Sequence, residues 1–384
     1  MRHFSKIALT AMAALALSSC QKDEIIQTPE THDSNVIAFS TFSHPGIRGA
    51  FKSGTTFTKG DKFQLYGTKK KSGEQASKFH DTFMNGTVGI ETAFDGKDWS
   101  YGTHKYPWEE EISYDFYGIY PMPSSSHNNL SPQISNGTKI IRVTVPEEES
   151  KQTDFMYSAV LGATREKRNG KSPSGDKVPL VFRHAMSIVL FKVKVSNPGL
   201  IAKIDGITIH NLRSSGEYTL PVSSDAKGAW NLPKADKYEN YPVTMDDTAK
   251  SKDLTGKSGE GILLSKATSP LLLLPQSVDK WDPSVQKSIG EADKSHKAYI
   301  NLRLCLKSSE GNYLIKGTNA TNEFSNVYVP FEWDLKEGYK HTILIDFGNG
   351  GGGKDHDGKD VIDYIQVSAG LTEWAEESIY TRSL

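Results

Sequence analysis

Three aspartates, Asp355, Asp357 and Asp360, flank Gly358 and offer oxygen ligands of the kind calcium takes when several carboxylates share a tight turn. The twelfth position from Asp355 is Gln366, where a helix–loop–helix calcium loop carries a bidentate glutamate, so the turn is only a weak calcium candidate. Gly348, Gly350 and Gly353 have dinucleotide-fingerprint spacing, but the Lys354-Asp355-His356-Asp357-Gly358 that follows cannot open the helix whose N-terminus would hold a pyrophosphate. Gly170-Lys171-Ser172 and Gly256-Lys257-Ser258 end as a phosphate loop ends. Five residues earlier stand Arg165 and Ser251, so the glycine cradle is missing. No G-x-S-x-G elbow or H-E-x-x-H pair occurs, and the eleven histidines are scattered. With no acid–base pair, activated nucleophile or metal-ligand set, the expectation is a non-enzyme without a cofactor.

One residue, Cys20, does stand where a specific reaction happens. Arg2 and Lys6 precede an apolar stretch over residues 7–17, and Ser18-Ser19 leads into the cysteine, which is the build of a signal peptide. The stretch is well short of the ~20 residues a spanning helix needs. Leu17-Ser18-Ser19-Cys20 resembles a bacterial lipobox, which implies diacylglycerol on the Cys20 sulfur and removal of residues 1–19. The Asp23-Glu24 pair behind it resembles the signal that sends such lipoproteins to the outer face of the outer membrane. Cys305 is then the single thiol of the mature chain, and no intramolecular disulfide can form. In the alternating run 298–307 it points with the polar set, and it reads as a structural thiol.

The elements that would position such residues are mostly strands. With 384 residues the chain has length for two or three domains of ~150 residues. Its 45 basic and 46 acidic side chains leave a formal charge of −1, without the basic excess a nucleic-acid partner needs. Residues 20–35 read as a polar tether. Period-2 runs bounded by Gly, Pro, Asn, Asp and Ser predict strands over 36–42, 62–67, 113–120, 139–145, 154–161, 178–195, 204–212, 298–307, 327–333, 341–347 and 364–374. Residues 271–274 do not alternate and predict a strand buried on both faces, and 279–296 is the one helical stretch, interrupted by Gly290. Many short strands of this kind call for all-β antiparallel β-sandwiches, because each strand buries one face and needs a sheet opposite. The polar stretch 164–177 is the best linker, giving sandwiches over 36–175 and 176–384.

Read in order, the body resembles the fimbrillin family of Bacteroidales. The residues that carry the likeness include Ile37-Ala38-Phe39, Gly49-Ala50-Phe51, Tyr106-Pro107-Trp108, the run from Tyr114 to Pro121, Asp154-Phe155-Met156-Tyr157 and Phe182-Arg183-His184-Ala185-Met186. Leu272-Leu273-Leu274-Pro275-Gln276, Gly338-Tyr339-Lys340-His341 and Thr372-Glu373-Trp374 continue it. The resemblance implies two tandem transthyretin-like sandwiches, export as a lipid-anchored precursor, and assembly with other pilus subunits at the cell surface.

It also implies processing by a surface arginine-specific protease. Arg48 and Gly49 lie in a turn-rich stretch suited to cleavage. Val36, Ile37, Ala38 and Phe39 would leave as a removable strand, and a strand from another subunit would fill the groove. Ile365, Val367, Leu371 and Trp374 supply apolar side chains for a donor strand within 364–384. Two plainer readings stay open: residues 36–42 as a permanent first strand, and 364–384 as the last strand of its own sheet. A surface glycan-binding lipoprotein is the alternative function, for which Trp99, Tyr101 and Trp108 would have to form an exposed aromatic platform. The lipobox makes one prediction: mass spectrometry of the mature N-terminus should find a diacylglyceryl Cys20, and Cys20→Ala should release the protein from the membrane fraction.

Overall fold

The structure, a computed structural model, describes residues 35–43, 57–124, 129–170, 176–223, 226–233, 237–255, 261–317, 322–348, 353–362, 365–373 and 381–382. It is built almost wholly of strands, as the alternating sequence requires. The first sheet has seven, in the order Phe39–Ser43, Val178–His184, Met156–Ala163, Ile112–Tyr120, Lys62–Lys71, Ile90–Phe94 and Trp99–Ser100. A four-stranded sheet runs Ala229–Asn231, Ser215–Thr219, Lys139–Thr144 and Leu130–Ile134. In a six-stranded sheet Ser187–Lys194 and Tyr339–Phe347 lie side by side, flanked by Ile262–Leu263 and Leu271–Leu273 on one side and by Ile365–Glu373 with Thr381–Arg382 on the other. The eight-stranded sheet centres on Leu200–Arg213, Tyr299–Ser308 and Ser325–Pro330.

Two large hydrophobic cores and a small third cluster around Trp281 lie among the described residues. Around the seven-stranded sheet the core is aromatic: Phe63, Tyr114, Phe116 and Phe182 are fully buried, and Gly118 leaves room for Phe182, whose ring would meet an added Cβ at 2.8 Å. The larger core is mostly aliphatic, and the six- and eight-stranded sheets supply Val189, Val193, Ala202, Leu302, Leu304, Ile343 and Ile345 to it. Leu271–Leu273 is buried at all three positions, as its unbroken apolar run predicts. Lys192 and Lys194 stand on the half-exposed face of their strand while Phe191 and Val193 are fully buried.

Three expectations need correction. The run 178–195 is two strands, because the chain turns a corner at Ala185-Met186: Val178–His184 ends in the seven-stranded sheet and Ser187–Lys194 begins in the six-stranded one. Sheet pairing is not purely antiparallel, since Phe39–Ser43 runs parallel to Val178–His184 and Ser187–Lys194 parallel to Tyr339–Phe347. The helix covers only Ile289–Lys294, started by the Ser288 side chain, which accepts from the Glu291 N–H. Before it, Trp281 is fully buried and donates its indole N–H to the Gln286 carbonyl at 2.9 Å, which holds the preceding residues in turns.

Strand membership crosses residue 175 twice. Val178–His184 joins the seven-stranded sheet, and Lys139–Thr144 pairs with Ser215–Thr219 over five residue pairs. Cys305 does share the face of Arg303 and Lys307, yet it is only 1% exposed. Glu323, paired to Lys203 at 3.2 Å and Lys307 at 3.1 Å, closes over its thiol at 3.8 Å. Burial therefore pushes the Cys305 thiol up and keeps it protonated and unreactive. Cys305→Ser should leave the fold intact and lower unfolding stability by ~1 to 2 kcal/mol, read as a shift in the urea midpoint.

Candidate functional site: the N-terminal strand and its groove

Residues 35–43 lie first along the segment Tyr106-Pro107-Trp108 and then along the strand Val178–His184 of the first sheet. At the start, the Ile37 N–H donates to the Tyr106 carbonyl at 2.9 Å and the Trp108 N–H to the Asn35 carbonyl at 2.8 Å, forming an antiparallel bridge between Val36 and Pro107. The chain then crosses over, the Val178 N–H donates to the Ala38 carbonyl at 2.7 Å, and Phe39–Ser43 follows Val178–Phe182 in parallel register. The strand observed begins three residues later than the alternation predicts and ends at Ser43, because residues 36–38 belong to the bridge.

Ile37 and Phe39 carry the packing. Both are buried, while Val36, Ala38 and Ser40 are partly exposed, which is the alternation expected from the sequence. Phe39 meets Phe116 and Tyr101 edge-on, with ring centroids 5.1 and 5.9 Å apart. Tyr101 donates its hydroxyl to the Ile37 carbonyl, and Trp99 donates its indole N–H to Thr41 Oγ1 at 2.6 Å. Sequence reasoning did not assign these four holders, Trp99, Tyr101, Tyr106 and Trp108, to the strand. Their spacing on a short segment rich in aromatics was the signal available.

The same geometry bears on the aromatic-platform reading. Tyr101 and Trp108 are buried, Trp108 with the Arg168 guanidinium 4.1 Å above its ring. Trp99 packs edge-on against Phe57 and Phe63, with centroids 5.1 and 4.7 Å away. Tyr101 and Trp108 are thus enclosed in the wall of the groove, and Trp99 stays half-buried beside them.

At the other end of the chain, Ile365–Glu373 pairs antiparallel with Tyr339–Phe347 from Ile365↔Phe347 to Glu373↔Tyr339. Ile365 is buried, and Val367 and Leu371 are half-buried on the same side of the strand. The segment is thus the penultimate strand of its own sheet, followed by Thr381–Arg382 against Ala369 and Gly370. Cys20, Arg48, Gly49 and Trp374 lie outside the described residues.

The three aspartates do not converge. Asp355 Oδ1 accepts the Asp357 and Lys359 N–H groups, both at 2.9 Å, and Asp360 pairs with Lys354. Among the described residues no group of three or more His, Cys, Asp or Glu side chains is placed to hold a metal ion.

A β-sandwich protein with the first of its described strands laid along a sheet edge is the class this geometry defines. The profile of the fimbrillin-like family matches residues 50–366, and the chain belongs to that family. A fimbrial protein from Bacteroides vulgatus is similar in structure, with a TM-score of 0.58 at 14% identity over 88% of this chain and 99% of that one. A candidate cell adhesion protein from Bacteroides uniformis aligns over 88% of this chain and 98% of its own at 14% identity, with a TM-score of 0.42. No curated protein sequence matches the chain. The buried ring predicts that Phe39→Ala lowers unfolding stability by about 3 kcal/mol, whereas Ser40→Ala on the open face changes it little; chemical denaturation of both variants checks this.

Proposed function

We propose that the protein is a structural subunit of a surface pilus, without catalytic activity, that polymerises by strand exchange and supports adhesion. Membership of the fimbrillin-like family is the observation that carries this reading, and the edge position of residues 35–43 supports the mechanism. The chain is exported as a precursor anchored in the outer membrane through Cys20, and its two halves are tandem transthyretin-like sandwiches. Before processing, residues 36–42 occupy their own groove, where an intramolecular strand has a local concentration that a strand in trans hardly matches. An arginine-specific protease then cuts after Arg48 and leaves Gly49 as the new N-terminus.

Loss of the strand uncovers the N–H and C=O groups of Val178–His184 beside the apolar sites left by Ile37 and Phe39. A strand from another subunit satisfies both demands together, and its chemistry is set by that pair of sites: two apolar side chains at i and i+2. The C-terminal segment containing Ile365, Val367, Leu371 and Trp374 is the donor. A glycan-binding role has less support because Tyr101 and Trp108, two of its three aromatic residues, are buried in the groove wall.

Trypsin-like digestion of the precursor should yield Gly49 as N-terminus and precede oligomer formation on size exclusion. Arg48→Ala should abolish both, and surface filaments in electron micrographs should disappear with it. Polymerisation of the Arg48→Ala protein at the wild-type rate would overturn the mechanism.

A further inference from the structure

The corner at Ala185-Met186 is tied down from several sides. The Ala185 N–H donates to the Phe155 carbonyl at 2.9 Å, and the Ala185 carbonyl accepts the Trp230 indole N–H at 2.8 Å. The Met186 carbonyl accepts the Gly338 N–H at 2.9 Å, and the Ser187 hydroxyl donates to the Lys336 carbonyl at 2.8 Å. The turn 336–338, with Gly338 in the left-handed region at φ 71°, is therefore seated on the point where the chain leaves one sheet for the next.

From that turn the half-buried Glu337 reaches two other sheets. Its Oε1 accepts the Tyr218 hydroxyl at 2.9 Å and the Tyr157 hydroxyl at 3.4 Å. Tyr157 belongs to the seven-stranded sheet, Tyr218 to the four-stranded one, and Glu337 shortly precedes Tyr339–Phe347 of the six-stranded one. The surroundings are aromatic: Tyr218 lies 4.9 Å from Tyr157, 5.1 Å from Trp230 and 5.4 Å from Phe155, measured between ring centroids.

We propose that Glu337 is a proton-operated latch that closes the joint between these three sheets when protonated and loosens it when ionised. A carboxylate in a cleft of rings has lost water and, among the described residues, forms no ion pair in exchange, so the neutral acid fits the cleft better. Burial pushes its pKa up to about 7, against the opposing pull of the Tyr218 and Tyr157 hydroxyls and of the Lys227 and Arg183 charges. The tyrosines are themselves pushed above their ordinary range by burial and stay protonated throughout. Opened to water, Glu337 would ionise near the ordinary 4.5. Closing therefore takes up a proton between these two values: the latch is fully effective below the lower one and is lost as pH rises through the upper one.

Hydrogen exchange of the full chain between pH 5 and pH 8, corrected for intrinsic rates, tests the latch at the amides of Ala185 and Gly338. Their opening should rise with pH, by at most about ten-fold per unit in the window below 7. Glu337→Gln keeps an acceptor for both tyrosines and cannot ionise, so its opening should be independent of pH. The buried Asp154–His184 pair, 2.7 Å apart beside the corner, contributes equally to both proteins and cancels in the comparison. Equal slopes, or no slope in either protein, would overturn the proposal. If the variant does not fold, carbon NMR of the wild-type Glu337 carboxyl decides: a midpoint near 7 supports the latch, and one in the ordinary glutamate range refutes it.

Discussion

A sheet edge cannot stay unpaired against an apolar surface, and in this protein the edge of Val178–His184 is covered by residues that come from the far N-terminus of the described chain. The arrangement of the first sheet follows from that constraint. Backbone pairing alone would accept any extended segment. What selects this one is the pair Ile37 and Phe39, whose side chains fall between Tyr101, Phe116 and the other rings of an aromatic core. Burying a phenylalanine is worth about 1.5 to 3 kcal/mol, so the strand is held as much by two side chains as by its parallel ladder.

The two cores answer to different demands. The aliphatic core is shared by two long sheets whose central ladders, Leu200–Arg213 with Tyr299–Ser308 and Ser187–Lys194 with Tyr339–Phe347, are extensive. The aromatic core rests against strands of which the first can be withdrawn without breaking any ladder except its own. In the proposed assembly pathway, strand exchange would leave the aliphatic core in place. The corner at Ala185-Met186 and the Lys139–Thr144 ladder with Ser215–Thr219 join the two regions, so stiffness at the joint is a property of the whole subunit.

Much of this was legible from alternation. Phe191 and Val193 against Lys192 and Lys194, the unbroken leucines at 271–273, and Ile37 and Phe39 against Val36 and Ala38 all face as their period dictates. Corners were not legible, because Ala185-Met186, between Arg183-His184 and Ser187, carries no glycine or proline to mark the change of sheet. Parallel pairing was also hidden, since register between distant segments leaves no trace in either one. Cys305 shows a further limit: its face was correct, but its burial depends on Glu323 and Lys203, which sequence does not bring together. At the groove, Tyr106-Pro107-Trp108 was visible as a motif while its job of binding residues 35–37 was visible only in three dimensions.

The two ends of the chain are unequal as exchange partners. Phe39–Ser43 is held by five parallel pairs at an edge, whereas Ile365–Glu373 is held by nine antiparallel pairs and has a strand on each side. Withdrawing the first exposes one edge; withdrawing the second would strip Tyr339–Phe347 over its full length and expose the core that Ile365 covers. Thr381–Arg382, by contrast, adds only two residue pairs to its neighbour. Within the proposed mechanism, donating the segment that contains Ile365, Val367, Leu371 and Trp374 therefore requires Ile365–Glu373 to leave Tyr339–Phe347, a larger cost than the release of Phe39–Ser43, and the recipient's groove has to offset it.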